Sequence, residues 1–376
     1  MSIGAIITVP APSGVAASPA DGNAQLFGVP IALWDVMGRS VRDRTIDALR
    51  AGGVQHIHVI AESPVQGDSD SAFPSMSQSE GFWNKWEKLT SELLGKGITH
   101  LMLLRAGPYI ELDLPDLLGF HAQRPSSVTS VHDAKGSLDM LLLSAESLRQ
   151  GDSRRSQLST TLQGRRRFRV NGYTNRLSNP EELRGLIKDA LWQRCGLKPR
   201  GREIEAGVWI GNDVQVDRSA RITGPVYLGD SVRAGADCSI TNASAVERGS
   251  FVDFGTTVND SSVLPNTYLG AGLSVSNCVA GPARLYHLQR GVELQVTDGK
   301  LIGSASRLRM SDRSKSCLLA DGAAEGLVPS MSTRSLPFAS FMPKSWRLTH
   351  AMFGARSRRD GVSLISSSRY APWEKL

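Results

Sequence analysis

Cysteine is scarce in this chain: four in 376 residues, at positions 195, 238, 278 and 317, with no Cys-x-x-Cys pair. That spacing excludes a disulfide framework and a zinc site built on paired cysteines. No uncharged apolar run approaches the roughly 20 residues of a membrane span. No Lys or Arg precedes Arg39, so the first ten residues lack the basic start of a secretory signal and a cytoplasmic protein is expected. Most of the chain also lacks a charge excess. The net +7 lies entirely in residues 307–376, which carry twelve Lys/Arg against five Asp/Glu. The first 306 residues are neutral, which argues against a nucleic-acid footprint on the body of the protein.

What the sequence has in abundance is a period of six. Stepping from Ile204 gives Ile210, Val216, Ile222, Leu228, Ala234, Ile240, Val246, Val252, Val258 and Leu264, all apolar. A second series from Val208 runs through Val214, Ala220, Val226, Val232, Cys238, Ser244, Ser250, Thr256 and Ser262, all small or β-branched. A short fixed period marks a solenoid whose units stack one continuous core. Period six, with a small residue four positions after each apolar one, predicts the hexapeptide repeat of a left-handed parallel β-helix. Each flat side takes six residues, and each corner admits only a small inward side chain. The phase slips by one after Leu264, at Pro265, and Leu269 and Val275 continue it; the coil is expected to end near Gly281-Pro282.

Residues 1–200 alternate strand and helix patterns. Ala5 to Val9, Val54 to Ile60, Ile98 to Leu104 and Val128 to Val131 read as buried strands. Helices are predicted after Gly38, from Glu80 to Leu94, from Asp113 to His121, and from Leu183 to Trp192 behind an Asn179-Pro180 start. Strands separated by helices imply a mostly parallel sheet. The run Arg165-Arg166-Arg167 with Arg169 reads as a solvated face. Residues 307–376, rich in Ser and Arg, read as a disordered basic tail with short apolar anchors at Phe338 to Phe341 and Trp346. The domains expected are therefore 1–200 (α/β), 204–300 (β-helix) and 307–376 (tail).

Several segments resemble the sugar-1-phosphate nucleotidyltransferases (NDP-sugar pyrophosphorylases), in particular the mannose-1-phosphate guanylyltransferase-like branch. Val36-Met37-Gly38-Arg39-Ser40 with Thr45 to Val54 is similar to that family's first helix and second strand. His100 to Leu104, continued by Glu111-Leu112-Asp113-Leu114, is similar to its metal-site strand and following helix. Gly172-Tyr173 through Asn179-Pro180-Glu181 is similar to its closing segment, and Gly224-Pro225-Val226-Tyr227-Leu228-Gly229 to its β-helix. The resemblance implies a nucleotide-diphospho-sugar-transferase-like, Rossmann-like sheet followed by a left-handed β-helix. It further implies nucleotidyl transfer to a hexose-1-phosphate, magnesium if the protein is active, and a substrate contact at Gly172 and Tyr173.

The residues that would carry this chemistry depart from the family. A triphosphate needs backbone N–H groups and a cation around it, yet Pro10 to Asn23 has two glycines and neither Lys nor Arg. The family's lysine position is occupied by Ile31, and its two metal-holding aspartates by Gly107 and Arg176. The expectation is weakened or lost catalysis, with a regulatory or scaffold role in sugar-nucleotide or polysaccharide metabolism. Expected partners are a sugar phosphate or nucleotide sugar, further copies of the chain or an active paralogue joined through the β-helix, and an anionic partner for the tail. An active, divergent transferase remains open if Asp35, Asp113 or Asp116 replaces the missing acids. A hexapeptide-repeat acyltransferase is the other enzyme class, but residues 204–281 contain no histidine and His287 lies just past them. His56 and His58 share a strand face and, with His121, are read as structural.

Overall fold

The computed structural model describes residues 2–10, 24–62, 79–123, 128–149, 158, 162 and 164–306. Most of the loop after the first strand (11–23) and the basic tail (307–376) lie outside the described residues, so the expectations placed on them are left there. The chain divides into two compact units, Met1–Arg200 and Gly201–Leu376.

The first unit holds β1 (Ile3–Val9), α1 (Val41–Ala51), β2 (His56–Ala61), α2 (Glu80–Gly95), β3 (His100–Arg105), α3 (Leu114–Ala122), β4 (Val128–Asp133), β5 (Gly136–Ser144), β6 (Arg166–Arg169) and α4 (Pro180–Leu191). Each helix starts where a side chain can satisfy an orphan N–H. Ser40, Ser79, Asp113 and Asn179 accept from the third residue on, in α1, α2, α3 and α4 respectively. At α4 the Glu182 carboxylate also accepts from the N–H of Ser178, the residue before the cap, at 2.8 Å.

The six-stranded sheet runs β2-β1-β3-β5-β4-β6. All strands are parallel except β5, which is antiparallel to both β3 and β4. Alternation divides its side chains between two layers. Ala5, Ile7, Met102, Leu104 and Leu142 pack with Leu49 of α1 and Leu117 of α3. Ile6, Leu101, Leu103 and Leu141 pack on the other side with Phe82, Trp83, Trp86 and Leu93 of α2. The α2 aromatics meet edge to face, at 5.6 Å for both Phe82–Trp83 and Trp83–Trp86. Strand β5 is absent from the sequence-based reading, because no helix separates it from β4 to announce it. Arg167 and Arg169 on edge strand β6, and Arg165 just before it, are exposed, as expected of a solvated face, whereas Arg166 lies over the Phe120 ring at 4.2 Å.

The second unit is a region of short parallel strands in three sheets, each coil of the chain giving one strand to each sheet. Val208 pairs with Val226, Gln215 with Arg233 and Arg221 with Ser239, a spacing of 18 residues. Both six-step series point inward from Val226 to Val258: Leu228, Ala234, Ile240, Val246, Val252 and Val258 share one core with Val226, Val232 and Cys238. At the start of the series the packing is looser. Ile204 is 51% exposed and Val216 42%, since Ile204 sits on an antiparallel strand before the first coil.

Two details correct the sequence-based reading. The slip precedes Leu264 rather than following it at Pro265. Ser239 pairs with Thr257, 18 residues on, but Ala245 pairs with Ser262, 17 on, so the corner before Ser262 has lost one residue. Val263 therefore takes the core position, followed by Leu269, Val275 and Ala280. The corners are also set by backbone handedness, which hydrophobic period cannot show. Left-handed residues stack from coil to coil: Asp213, Ser231, Gly249 and Asn266 at one corner, Asp237, Gly255 and Gly272 at the next. Gly, Asn and Asp adopt that conformation at least cost. After Gly281 the strands turn antiparallel: Arg284–His287 pairs with Cys278–Gly281 and Ile302–Ser304 with Thr267–Leu269.

Within the coils, the small series does more than fit corners. Ser250 Oγ donates to the Leu264 carbonyl at 2.9 Å and accepts from the Thr267 N–H at 3.2 Å. Thr256 Oγ1 bonds the Gly270 carbonyl and accepts from the Leu273 N–H at 3.1 Å. Ser261 accepts from the Cys278 N–H at 3.1 Å. These three buried hydroxyls thus satisfy backbone groups of the following coil, whereas those of Ser262 and Thr267 have no hydrogen-bond partner among the described residues.

Candidate functional site

In open α/β sheets, ligands bind beyond the carboxyl ends of the parallel strands. At that edge of the first unit, a cleft is lined by Ile31 and Ala32, by Ala106, Gly107 and Pro108 after β3, by Ser137 and Asp139 of β5, and by Arg176 with its neighbours. It brings together the three positions that the family resemblance singled out, Ile31, Gly107 and Arg176, although they are widely separated in sequence. Ile31 is fully buried and starts a short 3-10 turn, held by its N–H to the Ala24 carbonyl at 2.9 Å. At Gly107 an added Cβ would meet open space, so no packing constraint accounts for the glycine.

The cleft carries charges, but its cations are committed. The Arg176 guanidinium donates to both carboxylate oxygens of Asp133, Nε at 2.9 Å. Burial raises the Asp133 carboxyl, yet Arg176 and the N–H groups of Lys135 and Gly136 outweigh it and hold the group below its ordinary value. Beside them Arg105, at the end of β3, forms a second bidentate pair with Glu62, at the end of β2, with both contacts at 3.0 Å. Both partners are largely buried. Asp139 feels the charges of both pairs; burial, with a smaller push from Glu62, raises its carboxyl more than Arg105 and Arg176 lower it.

A divalent cation does not fit this donor set. It needs several uncommitted oxygen ligands; Gly107 offers no side chain, Arg176 repels it, and Asp133 and Glu62 are occupied by guanidiniums. Among the described residues no group of three or more His, Cys, Asp or Glu is arranged to hold a metal.

The substitute acids go elsewhere. Asp113 caps α3 and lines a different groove with Arg39, Arg44, Asp47 and Lys198. Asp116 lies in the first turn of α3, and Asp35 in a bridge with Ser40. Gly172 and Tyr173 are not among the residues lining the cleft. A Cβ at Gly172 would lie 2.1 Å from the Glu111 carbonyl oxygen, so only glycine fits there. Tyr173 accepts the Glu111 N–H on its carbonyl at 2.9 Å and donates its hydroxyl to Asp189 at 2.7 Å. Burial, reinforced by that acceptor, raises its phenol. His121 is buried between Thr129 Oγ1 at 2.8 Å and Ser144 Oγ at 2.9 Å, a structural arrangement. His56 and His58 lie on β2, with His58 4.0 Å from Glu92. His287 ends the first antiparallel strand beyond the coils.

Sequence reasoning missed Glu62, Arg105, Asp133 and Asp139. The first two were legible only as polar residues closing apolar strands, Ile57–Ile60 and Leu101–Leu104, where a charge at the carboxyl end marks a site edge. The last two fall around β5, which was not assigned. No protein-family model matches the chain, and none of the curated proteins is significantly similar to it.

Proposed function

We propose that this chain is a sugar-nucleotide pyrophosphorylase-like protein that binds ligand without efficient turnover and serves a regulatory or scaffold role. On this reading the six-stranded sheet is a nucleotide-diphospho-sugar-transferase-like domain and the parallel coils are a left-handed β-helix, the surface for self-association or for an active paralogue. The observation that carries it is the convergence of Ile31, Gly107 and Arg176 on one cleft whose guanidinium is locked to Asp133. A transferring phosphoryl group needs preorganised positive charge, and removing one such stabilising group lowers rate by about a hundred- to a thousandfold. Here the nonpolar Ile31 and the neutralised Arg176 supply none.

The test is magnesium-dependent pyrophosphate release by the purified full chain, with each nucleoside triphosphate and a panel of hexose-1-phosphates. Turnover at background is expected, alongside stabilisation of the melting transition by a sugar phosphate or nucleotide sugar. Robust pyrophosphate release would overturn the reading in favour of an active, divergent transferase.

A further inference from the structure

Asp139 occupies an unusual place in its strand. Ser130 pairs with Leu141 and His132 with Ser137, so Leu138, Asp139 and Met140 of β5 together face the single residue Val131 of β4. A bulge of this kind re-aims a side chain out of the strand's alternation. Leu138 and Met140 both sink into the core shared with α1 and α3. Asp139, between them, takes a left-handed backbone with φ of 53°. Asp139 lines the cleft described above and also a second one. That second cleft is walled by aliphatic side chains, among them Ile7, Leu104, Ile110, Leu112 and Met140.

The cations lining these two clefts already have carboxylate partners: Arg176 has Asp133, Arg105 has Glu62, and Arg42 has Asp43. Asp139 is the remaining charge. Its backbone N–H donates to Ser137 Oγ at 3.3 Å, while its carboxylate accepts no hydrogen bond among the described residues.

We propose that Asp139 is the receptor for the ammonium group of a small organic amine whose apolar body lies in the aliphatic cleft. An anion entering here would have to displace Glu62 or Asp133 from its guanidinium while facing Asp139, which leaves a buried carboxylate uncompensated. A hard divalent cation finds one free carboxylate where it needs six oxygens. An ammonium group donates up to three hydrogen bonds and neutralises the lone charge. Burial raises the Asp139 carboxyl, so a cationic partner also relieves the cost of ionising it. This inference goes beyond the binding reading given above: a sugar phosphate or nucleotide sugar is an anion and would bind away from Asp139, so the two are tested separately.

The experiment uses the full chain and two probes of one shape, cyclohexylammonium and cyclohexanol, titrated calorimetrically at pH 7. The amine is expected to bind at least tenfold tighter than the alcohol, and Asp139→Asn is expected to shrink that preference below twofold. Asn tolerates the left-handed backbone, so the bulge is retained. Equal affinity of the two probes, or an amine preference unchanged in the variant, overturns the inference. A readout on the parent protein guards against a variant that fails to fold. The Asp139 ¹³Cγ resonance must shift on titration with the amine and not with the alcohol; an unmoved resonance overturns the inference equally. Pyrophosphate release would instead overturn the non-catalytic reading, and it is measured without either probe.

Discussion

The two units are held together by different rules. In the α/β unit, β1 pairs with β2 and β3, both far along the chain, and neighbouring strands carry unrelated sequences. In the coiled unit each parallel strand pairs with one 17 or 18 residues on, and equivalent positions hold equivalent residues. The first arrangement frees the strand ends from any repeat, and the Arg105–Glu62 and Arg176–Asp133 pairs lie at the candidate cleft there. The second repeats its apolar and hydroxyl positions coil after coil, and stability is approximately a sum over neighbouring coils. The candidate cleft belongs to the unit whose sequence has no period.

Substitutions can sharpen that contrast. The largest effect is expected in the coils. Val252 is fully buried, and Val252→Asp places there a carboxylate with no partner. The penalty should exceed the roughly 2–7 kcal/mol of an unpaired neutral polar group. Calorimetry should show the transition of the coiled unit lost or strongly lowered; a variant that melts like the parent would contradict the inward phase of the repeat. Next is Arg105→Ala in the α/β unit, which strands the buried Glu62 carboxylate and should cost about 3–5 kcal/mol. The double variant with Glu62→Gln should recover much of that loss, and additive losses in a double-mutant cycle would disprove the pairing. Thr256→Val keeps the shape but removes a hydroxyl that serves the Gly270 carbonyl and the Leu273 N–H. About 1–3 kcal/mol is expected, read as a shift in the denaturant midpoint.

The smallest effects concern pH, and they oppose each other. Asp133 is depressed in the folded chain, so its contribution is full above the ordinary carboxyl value of 3.8 and fades as pH falls below it. Asp133→Asn should flatten the acid limb of the stability curve below about pH 4. Asp139 is raised instead, so its contribution is full below 3.8 and lost as pH climbs through the folded value. Asp139→Asn should therefore melt at or above the parent at neutral pH and match it in acid. Identical acid limbs in Asp133→Asn and the parent, or a neutral-pH loss in Asp139→Asn, would reverse these assignments.

Legibility followed the same division. Ile240, Val246, Val252 and Val258 announced the coils because one short period imposes the same demand at each turn. The corner that loses a residue before Ser262 was misplaced to Pro265, since Val263 and Leu264 are both apolar and only pairing tells which faces in. The helices of the first unit were readable from caps such as Ser40 and Asn179. Strand β5 was not, because only the two-residue turn at Ala134-Lys135 separates it from β4 and no helix announces it. The convergence of Ile31, Gly107 and Arg176 could be suspected by resemblance alone. The bulge that turns Asp139 outward left no trace in composition, because it is a property of two strands in register.

That lost corner residue says something about how such a chain can change its length over generations. Asn242 and Asp260, and then Asp260 and Asn277, hold left-handed backbone at successive levels of this edge. Beyond Asn242, Ala243 is left-handed as well, whereas Ser261 follows Asp260 directly and begins the next inward step. The later coil is therefore one residue shorter at this edge than the earlier one. Its faces keep their alignment, with Phe251 still over Tyr268 and Val252 over Leu269. In most sheets a one-residue deletion reverses which side of every following strand faces the core. Here the edges absorb the frame error before it reaches a face, so these bends are where insertions and deletions should accumulate as the lineage diverges, and where a foreign peptide could be spliced in with least disturbance.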